Sequence, residues 1–210
     1  MKTLKLIFVM LLAAVLPAGN VLAGETMSAY ESVVQSTDVL LGRLVEVQPL
    51  YETDPARFFS EVESALTPYV DFDGFAKGVM AKYYREATEA QREAFRDSFR
   101  EALIKTYATA LLEFDNQEVK VLEPSSAENR PDRATITLEI YARSGTVYPV
   151  LYQLGLEDNR WLLRNVIING INIGLQFRSQ FNAYMQKHRG NIDKVIENWT
   201  VDVASEPEST

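Results

Sequence analysis

The sequence predicts an α+β fold: a helical N-terminal half packed on an antiparallel sheet of about four strands, followed by C-terminal helices. Three observations predict it. Apolar residues recur at helical spacing behind two capping boxes up to residue 114. Between Val119 and Ile168 the segments shorten to strand length, separated by turn residues, with period-two alternation clearest at Ile136–Ile140. After Asn169-Gly170 the helical period returns. Neither an internal repeat nor a linker interrupts residues 24–201, which read as one domain.

The first helix opens at Ser28-Ala29-Tyr30-Glu31. In such a capping box the Ser hydroxyl and the Glu carboxylate satisfy two N–H groups that no helical carbonyl reaches. Val33, Val34, Thr37, Leu40, Leu41, Leu44 and Val45 carry its spacing. Asp54-Pro55 supplies a second start, an N-cap followed by a residue whose φ already suits the first turn. Phe58, Val62 and Leu66 then share one face before Pro68, and Phe72, Phe75, Val79 and Tyr83 mark a third helix. Thr88-Glu89-Ala90-Gln91 is the second capping box, and it opens a long helix whose apolar face runs Phe95, Phe99, Leu103, Tyr107, Leu111 and Phe114.

Val119 and Val121 predict a strand, followed by a polar loop over Glu123–Asp132. Ile136, Leu138 and Ile140 alternate with Thr135, Thr137 and Glu139, as a half-exposed strand requires. Ser144-Gly145 turns the chain into a strand over Thr146–Leu156, and Glu157–Arg160 turns it into Trp161–Ile168. Leu175, Phe177, Phe181, Tyr184 and Met185 form a further helix stopping at Gly190. Asn191 caps a last short helix over Ile192–Trp199, and residues 202–210 read as a disordered acidic tail.

Composition excludes several function classes. Among 210 residues there are 21 Lys and Arg against 29 Asp and Glu, a single His and no Cys, with a formal net charge of −8. Without Cys there is no disulfide, thiolate nucleophile or iron–sulfur ligation, and one His rules out a multi-His metal site. An acidic chain is a poor partner for nucleic acid, whose phosphates call for a basic surface. Lys2 and Lys5 precede an apolar run of 11 residues from Leu6 to Leu16, then Pro17, Gly19 and the small-residue site Val21-Leu22-Ala23. Residues 1–23 therefore read as a secretory signal peptide cleaved after Ala23, and export of a chain without Cys fits a bacterial periplasm, with an extracellular destination as the alternative. Cleavage removes two Lys and no acid, leaving 19 basic residues against 29 acidic ones.

The later strands carry apolar residues on both faces: Tyr148-Pro149-Val150-Leu151-Tyr152, and Trp161-Leu162-Leu163 followed by Val166-Ile167-Ile168. Either helices cover both sides of the sheet or one side lines a pocket. Phe72, Phe75, Tyr107, Tyr148, Tyr152, Trp161 and Phe177 fit both readings, since the same rings serve as core or as cavity wall. A search for catalysis finds little. His188 lies near a helix end between Lys187 and Arg189, where a cation suits the helix dipole. Asp71 and Asp73 read as helix-capping residues because the calcium-loop pattern around them is incomplete. No nucleophile elbow, phosphate loop or dinucleotide fingerprint occurs.

Two segments carry a family resemblance. Val70-Asp71-Phe72-Asp73-Gly74-Phe75-Ala76 runs on to Lys82-Tyr83-Tyr84-Arg85-Glu86-Ala87-Thr88-Glu89-Ala90-Gln91-Arg92-Glu93-Ala94-Phe95. The second is Trp161-Leu162-Leu163-Arg164-Asn165-Val166-Ile167-Ile168-Asn169-Gly170-Ile171, ending in Phe177-Arg178-Ser179-Gln180-Phe181. Together they resemble the MlaC family, also called toluene-tolerance auxiliary proteins. The resemblance implies a twisted antiparallel sheet and a helical layer enclosing an apolar cavity, with a glycerophospholipid as cargo and no cofactor. It implies a periplasmic carrier, not an enzyme, that maintains outer-membrane lipid asymmetry. The implied partners are an outer-membrane MlaA lipoprotein–porin complex and the inner-membrane Mla ABC transporter complex, each met by transient docking. Weighed with the double-faced strands, it implies a lipid-binding set of Phe72, Phe75, Val79, Tyr107, Tyr148, Val150, Tyr152, Trp161, Val166, Ile168, Ile171 and Phe177. Arg164 and Asn165 interrupt an apolar strand, so a head-group rim and a salt-bridge role both remain open. Two other functional readings stand beside the carrier: a pocket enzyme using Asp71 or Asp73 as base, and a holdase for unfolded outer-membrane proteins.

Overall fold

The computed structural model describes residues 27–112, 118–124, 130–142 and 144–201. The segments read as leader and tail lie outside the described residues. Helix α1 spans Ala29–Val47, and its start is the expected capping box: the Ser28 hydroxyl accepts from Glu31 N–H, and the Glu31 carboxylate accepts from Ser28 N–H. A four-residue helix α2, Leu50–Thr53, follows. Helix α3, Pro55–Leu66, is capped by Asp54, whose carboxylate accepts from Arg57 N–H. Helices α4 (Phe72–Met80), α5 (Tyr83–Glu86) and α6 (Glu89–Leu112) complete the helical half. Thr88 and Gln91 exchange the two hydrogen bonds of the second capping box. The short helices α2 and α5 have too few residues to show a period, and the sequence reading does not contain them.

Five strands form one antiparallel meander in chain order: β1 (Glu118–Val121), β2 (Arg133–Tyr141), β3 (Val147–Glu157), β4 (Arg160–Ile168) and β5 (Ile171–Asn172). Two hairpin turns share one chemistry. Asp158 and Asn159 both have positive φ, as do Asn169 and Gly170, which matches the twist of the strands on either side. The second turn adds the two-residue strand β5 to the four expected from sequence. Helix α7, Ile173–Lys187, is capped by the Asn172 side chain, and α8, Ile192–Glu197, by that of Asn191.

Packing divides into three regions. Phe95, Phe99, Phe177 and Phe181 are inaccessible or nearly so, and they knit α4, α6 and α7 to Trp199 through a network of ring contacts. A second region joins Phe58 and Val62 of α3 to Phe72, Ile104 and Ala108. The third lies under the sheet, where Ile136, Leu138, Val150 and Leu154 face Ala29 and Val33 of α1.

Between the sheet and α4 runs a buried polar tie. Asp71 is 8 % exposed; its Oδ1 accepts from Gly74 N–H at 2.7 Å and caps α4, while its Oδ2 takes the Arg164 Nε at 2.7 Å. Arg164 also reaches Glu157 at 3.1 Å. It stands at an irregularity in the β3–β4 register between Gln153 and Leu154, and its guanidinium lies over Gly155, where any Cβ would collide with it. Burial is the largest single influence and works against the Arg164 charge, but the hydrogen bonds and charges of Asp71 and then Glu157 together outweigh it, and the net effect raises its pKa. Asn165 holds the next joint: Nδ2 donates to Gln153 and Asn172, and Oδ1 accepts from Gly174 N–H. Arg164 and Asn165 thus tie β4 to α4 and α7. Asp71→Ala is expected to lower unfolding stability by about 2–3 kcal/mol, combining a lost cap with a half-exposed ion pair. Asp71→Asn, which keeps the capping oxygen, should lose roughly half as much in urea denaturation.

Candidate binding cavity

An apolar cavity of about 210 Å³ lies between the α1–α3 pair and the inner face of the sheet. Leu40, Leu41 and Leu44 of α1 and Val62 and Leu66 of α3 form the helical wall. Val119, Leu138, Ile140, Val150 and Tyr152 form the sheet wall. The strand period explains the second wall: Val119 pairs with Ile140, Leu138 with Val150, and Ile136 with Tyr152, so these side chains stand on one face. Val150 and Tyr152 pair in turn with Ile168 and Val166, which carry the same face onto β4.

Few polar groups meet this space. Ser36 donates its hydroxyl to the Val33 carbonyl. Arg43 is held by Glu46 at 2.7 Å on its own helix and by Glu61 of α3 at 2.6 Å, so it straps the two wall helices together. These two carboxylates, Glu46 first, push its pKa further up. The Tyr152 phenol differs: burial alone pushes its pKa up, and its hydroxyl has no hydrogen-bond partner among the described residues.

The candidate residues from sequence separate into groups. Val150 and Tyr152 line the cavity, Val166 and Ile168 continue its sheet wall, and Tyr148 is half-buried two residues from Val150 on the same strand. Trp161 packs at the far end of that face, its indole N–H donating to the Met27 carbonyl. Phe75, Val79 and Phe177 sit in the aromatic region around Phe95 and Phe99, and Phe72 packs with Phe58. Ile171 is exposed, and the Tyr107 side chain lies outside the described residues. The α1 and α3 leucines, absent from the expected set, announce themselves in sequence only as apolar helical faces. Asp71 and Asp73 do not line the cavity; Asp73 is exposed and pairs with Arg96 at 3.3 Å. His188 is the C-terminal cap residue of α7, its ring stacked on Tyr184. Among the described residues no group of three or more acidic or His side chains could hold a metal ion, and no helix is long and apolar enough to cross a membrane.

The family model described as MlaC protein matches residues 34–201, which include every wall of this cavity. The chain belongs to the MlaC family. Among MlaC-family relatives, the toluene tolerance protein ttg2D of Pseudomonas putida is 37 % identical over 194 residues, 92 % of this chain and 89 % of that protein. The intermembrane phospholipid transport system binding protein MlaC of Haemophilus influenzae is 26 % identical over 151 residues, 70 % of this chain and 69 % of its own. The fold also matches the solved structure of a phospholipid-binding protein from Ralstonia solanacearum in complex with a phospholipid. There the TM-score is 0.71 at 22 % identity, covering 81 % of this chain and 94 % of that one. The MlaC-family α+β architecture is therefore the one that the periodicities announce.

Proposed function

We propose that this MlaC-family protein is a periplasmic carrier that holds glycerophospholipid acyl chains in the cavity between α1, α3 and the sheet. It moves lipid between an outer-membrane lipoprotein–porin complex and an inner-membrane ABC transporter, and carries no chemistry of its own. Residues 1–23 serve as its export leader, cleaved after Ala23. The observation that carries this reading is the cavity, whose lining is almost wholly aliphatic. A space of this kind stays dry, and one of only about 150 Å³ already takes benzene. The Haemophilus influenzae relative, named for phospholipid transport, supports the choice of cargo.

Magnitudes shape the mechanism. Two chains of about 14 methylenes each are worth roughly 20 kcal/mol against exposure to water, so neither chain can stay wet in transit. Moving them from a bilayer into an apolar cavity is close to neutral, because both surroundings are dry. Handover is then a matter of docking and of an open path. The acidic surface repels anionic bilayers and leaves docking to protein partners. Val150, Tyr152, Val166 and Ile168 contact the chains from the sheet side, with Leu40, Leu41, Leu44 and Leu66 opposite.

Native mass spectrometry of protein purified without detergent tests this reading. A mass increment of one or more phospholipids is expected; a bare polypeptide mass after gentle purification would sink it.

A further inference from the structure

We propose that the Tyr152 phenol donates a hydrogen bond to an acyl ester carbonyl of the bound lipid, so that the ester linkage itself is read by the cavity. This inference rests on the phospholipid reading and adds a specificity-determining residue to it.

Tyr152 is placed on the cavity face by its pairing with Ile136 on one side and Val166 on the other. Its neighbours there are aliphatic, and among the described residues its hydroxyl has no partner. Tyr152 is partly buried and its hydroxyl is open to the cavity, so acyl chains that fill the cavity strip its water. A hydroxyl that loses water without gaining a partner is costly. The other polar groups of the wall have local solutions. Ser36 bonds the carbonyl of Val33, and Arg43 is occupied by Glu46 and Glu61. Thr37 has no hydrogen bond among the described residues either, but its short side chain on a helix is within reach of a carbonyl of the preceding turn. A phenol at the end of a rigid ring cannot reach its own backbone. Water is a poor substitute, since an ordered water needs two to four polar partners and this wall supplies few.

A ligand that fits the aliphatic wall must therefore bring an acceptor. Its phosphate is the wrong one: an ionised group drawn into an aliphatic cavity without a counter-charge carries a prohibitive desolvation cost. The ester carbonyls are uncharged acceptors placed between the chains and the head group. Burial keeps the Tyr152 phenol protonated, hence a donor, throughout the physiological range.

The test compares a diester phospholipid with its dialkyl ether analogue of the same head group and chain length. Full-length mature protein is equilibrated with vesicles holding equal amounts of both, and the bound ratio is read by native mass spectrometry. The parent should favour the diester about fivefold, the equivalent of one neutral hydrogen bond. Tyr152→Phe should bring the ratio close to one. A ratio of one in the parent, or an unchanged preference in Tyr152→Phe, overturns the assignment and leaves the carrier reading standing. A parent that binds neither lipid overturns the carrier reading instead. A second measurement needs no variant: the infrared ester band of carbonyl-labelled lipid should move to lower frequency in the parent complex than in hydrocarbon solvent. No movement overturns the proposal.

Discussion

Val150→Glu abolishes lipid retention while helical content stays that of the parent: this is the expected result with the largest functional effect. Val150 is 5 % exposed and stands mid-sheet between Leu138 and Ile168, with its side chain on the cavity wall. A carboxylate there has no basic partner on the wall except Arg43, which already holds two acids. Bringing acyl chains against it strips its water. An effective penalty of about 3 kcal/mol corresponds to at least about 100-fold weaker retention. The aromatic region around Phe99 does not share this wall, so the circular-dichroism helix signal should persist. Val150→Phe separates charge from volume: it fills the space with apolar atoms, and it should lower the retained lipid with little loss of thermal midpoint. Unchanged lipid stoichiometry in both variants would remove Val150 from the binding site.

Phe99→Ala has the largest expected effect on stability. Its ring is inaccessible to solvent and meets Phe75 at 5.4 Å, Phe95 at 5.7 Å, Phe177 at 5.4 Å and Trp199 at 6.2 Å. Truncation leaves a hole where three helices and the segment at Trp199 converge, at an expected cost of about 3–5 kcal/mol. Against a total stability of about 5–15 kcal/mol that is a large fraction, and in a chain of this size it lowers the thermal midpoint by roughly 10 °C. The molecules that remain folded should hold as much lipid as the parent, because Phe99 is remote from the cavity wall. Reduced lipid per folded molecule would show that this aromatic region also serves the cargo. The pair of variants therefore tells core from cavity, which the aromatic pattern in the sequence left undivided.

Legibility follows the range of the interactions. The caps at Ser28, Asp54, Thr88 and Asn191 are decided by side chains three residues from their targets, and all four can be read directly. The Asn169-Gly170 turn is equally local, because both residues tolerate the positive φ that a tight hairpin needs. Asp71 as a helix cap is visible for the same reason. Its second bond is not: Arg164 lies 93 residues away, and the register irregularity that aims it at Asp71 has no local signature. The apolar residues on both faces of β3 and β4 were a true signal with two meanings. The inner face meets the cavity, while Gln153, Arg164 and Asn165 tie the outer face to α4 and α7.

What the sequence determined by itself is the order and kind of the elements, their caps and turns, the acidic balance and the absence of cysteine chemistry. Only the tertiary structure decided which apolar side chains meet other atoms and which meet empty space. Phe75 and Phe177 became core, whereas Leu40, Leu44 and Val150 became wall. The reason is physical. Helical and extended periods are imposed by neighbours a few residues apart, but a cavity is a gap held open between elements far apart in the chain. A leucine that fills a core and one that lines a void have the same chemistry, and only the distance to the facing element tells them apart.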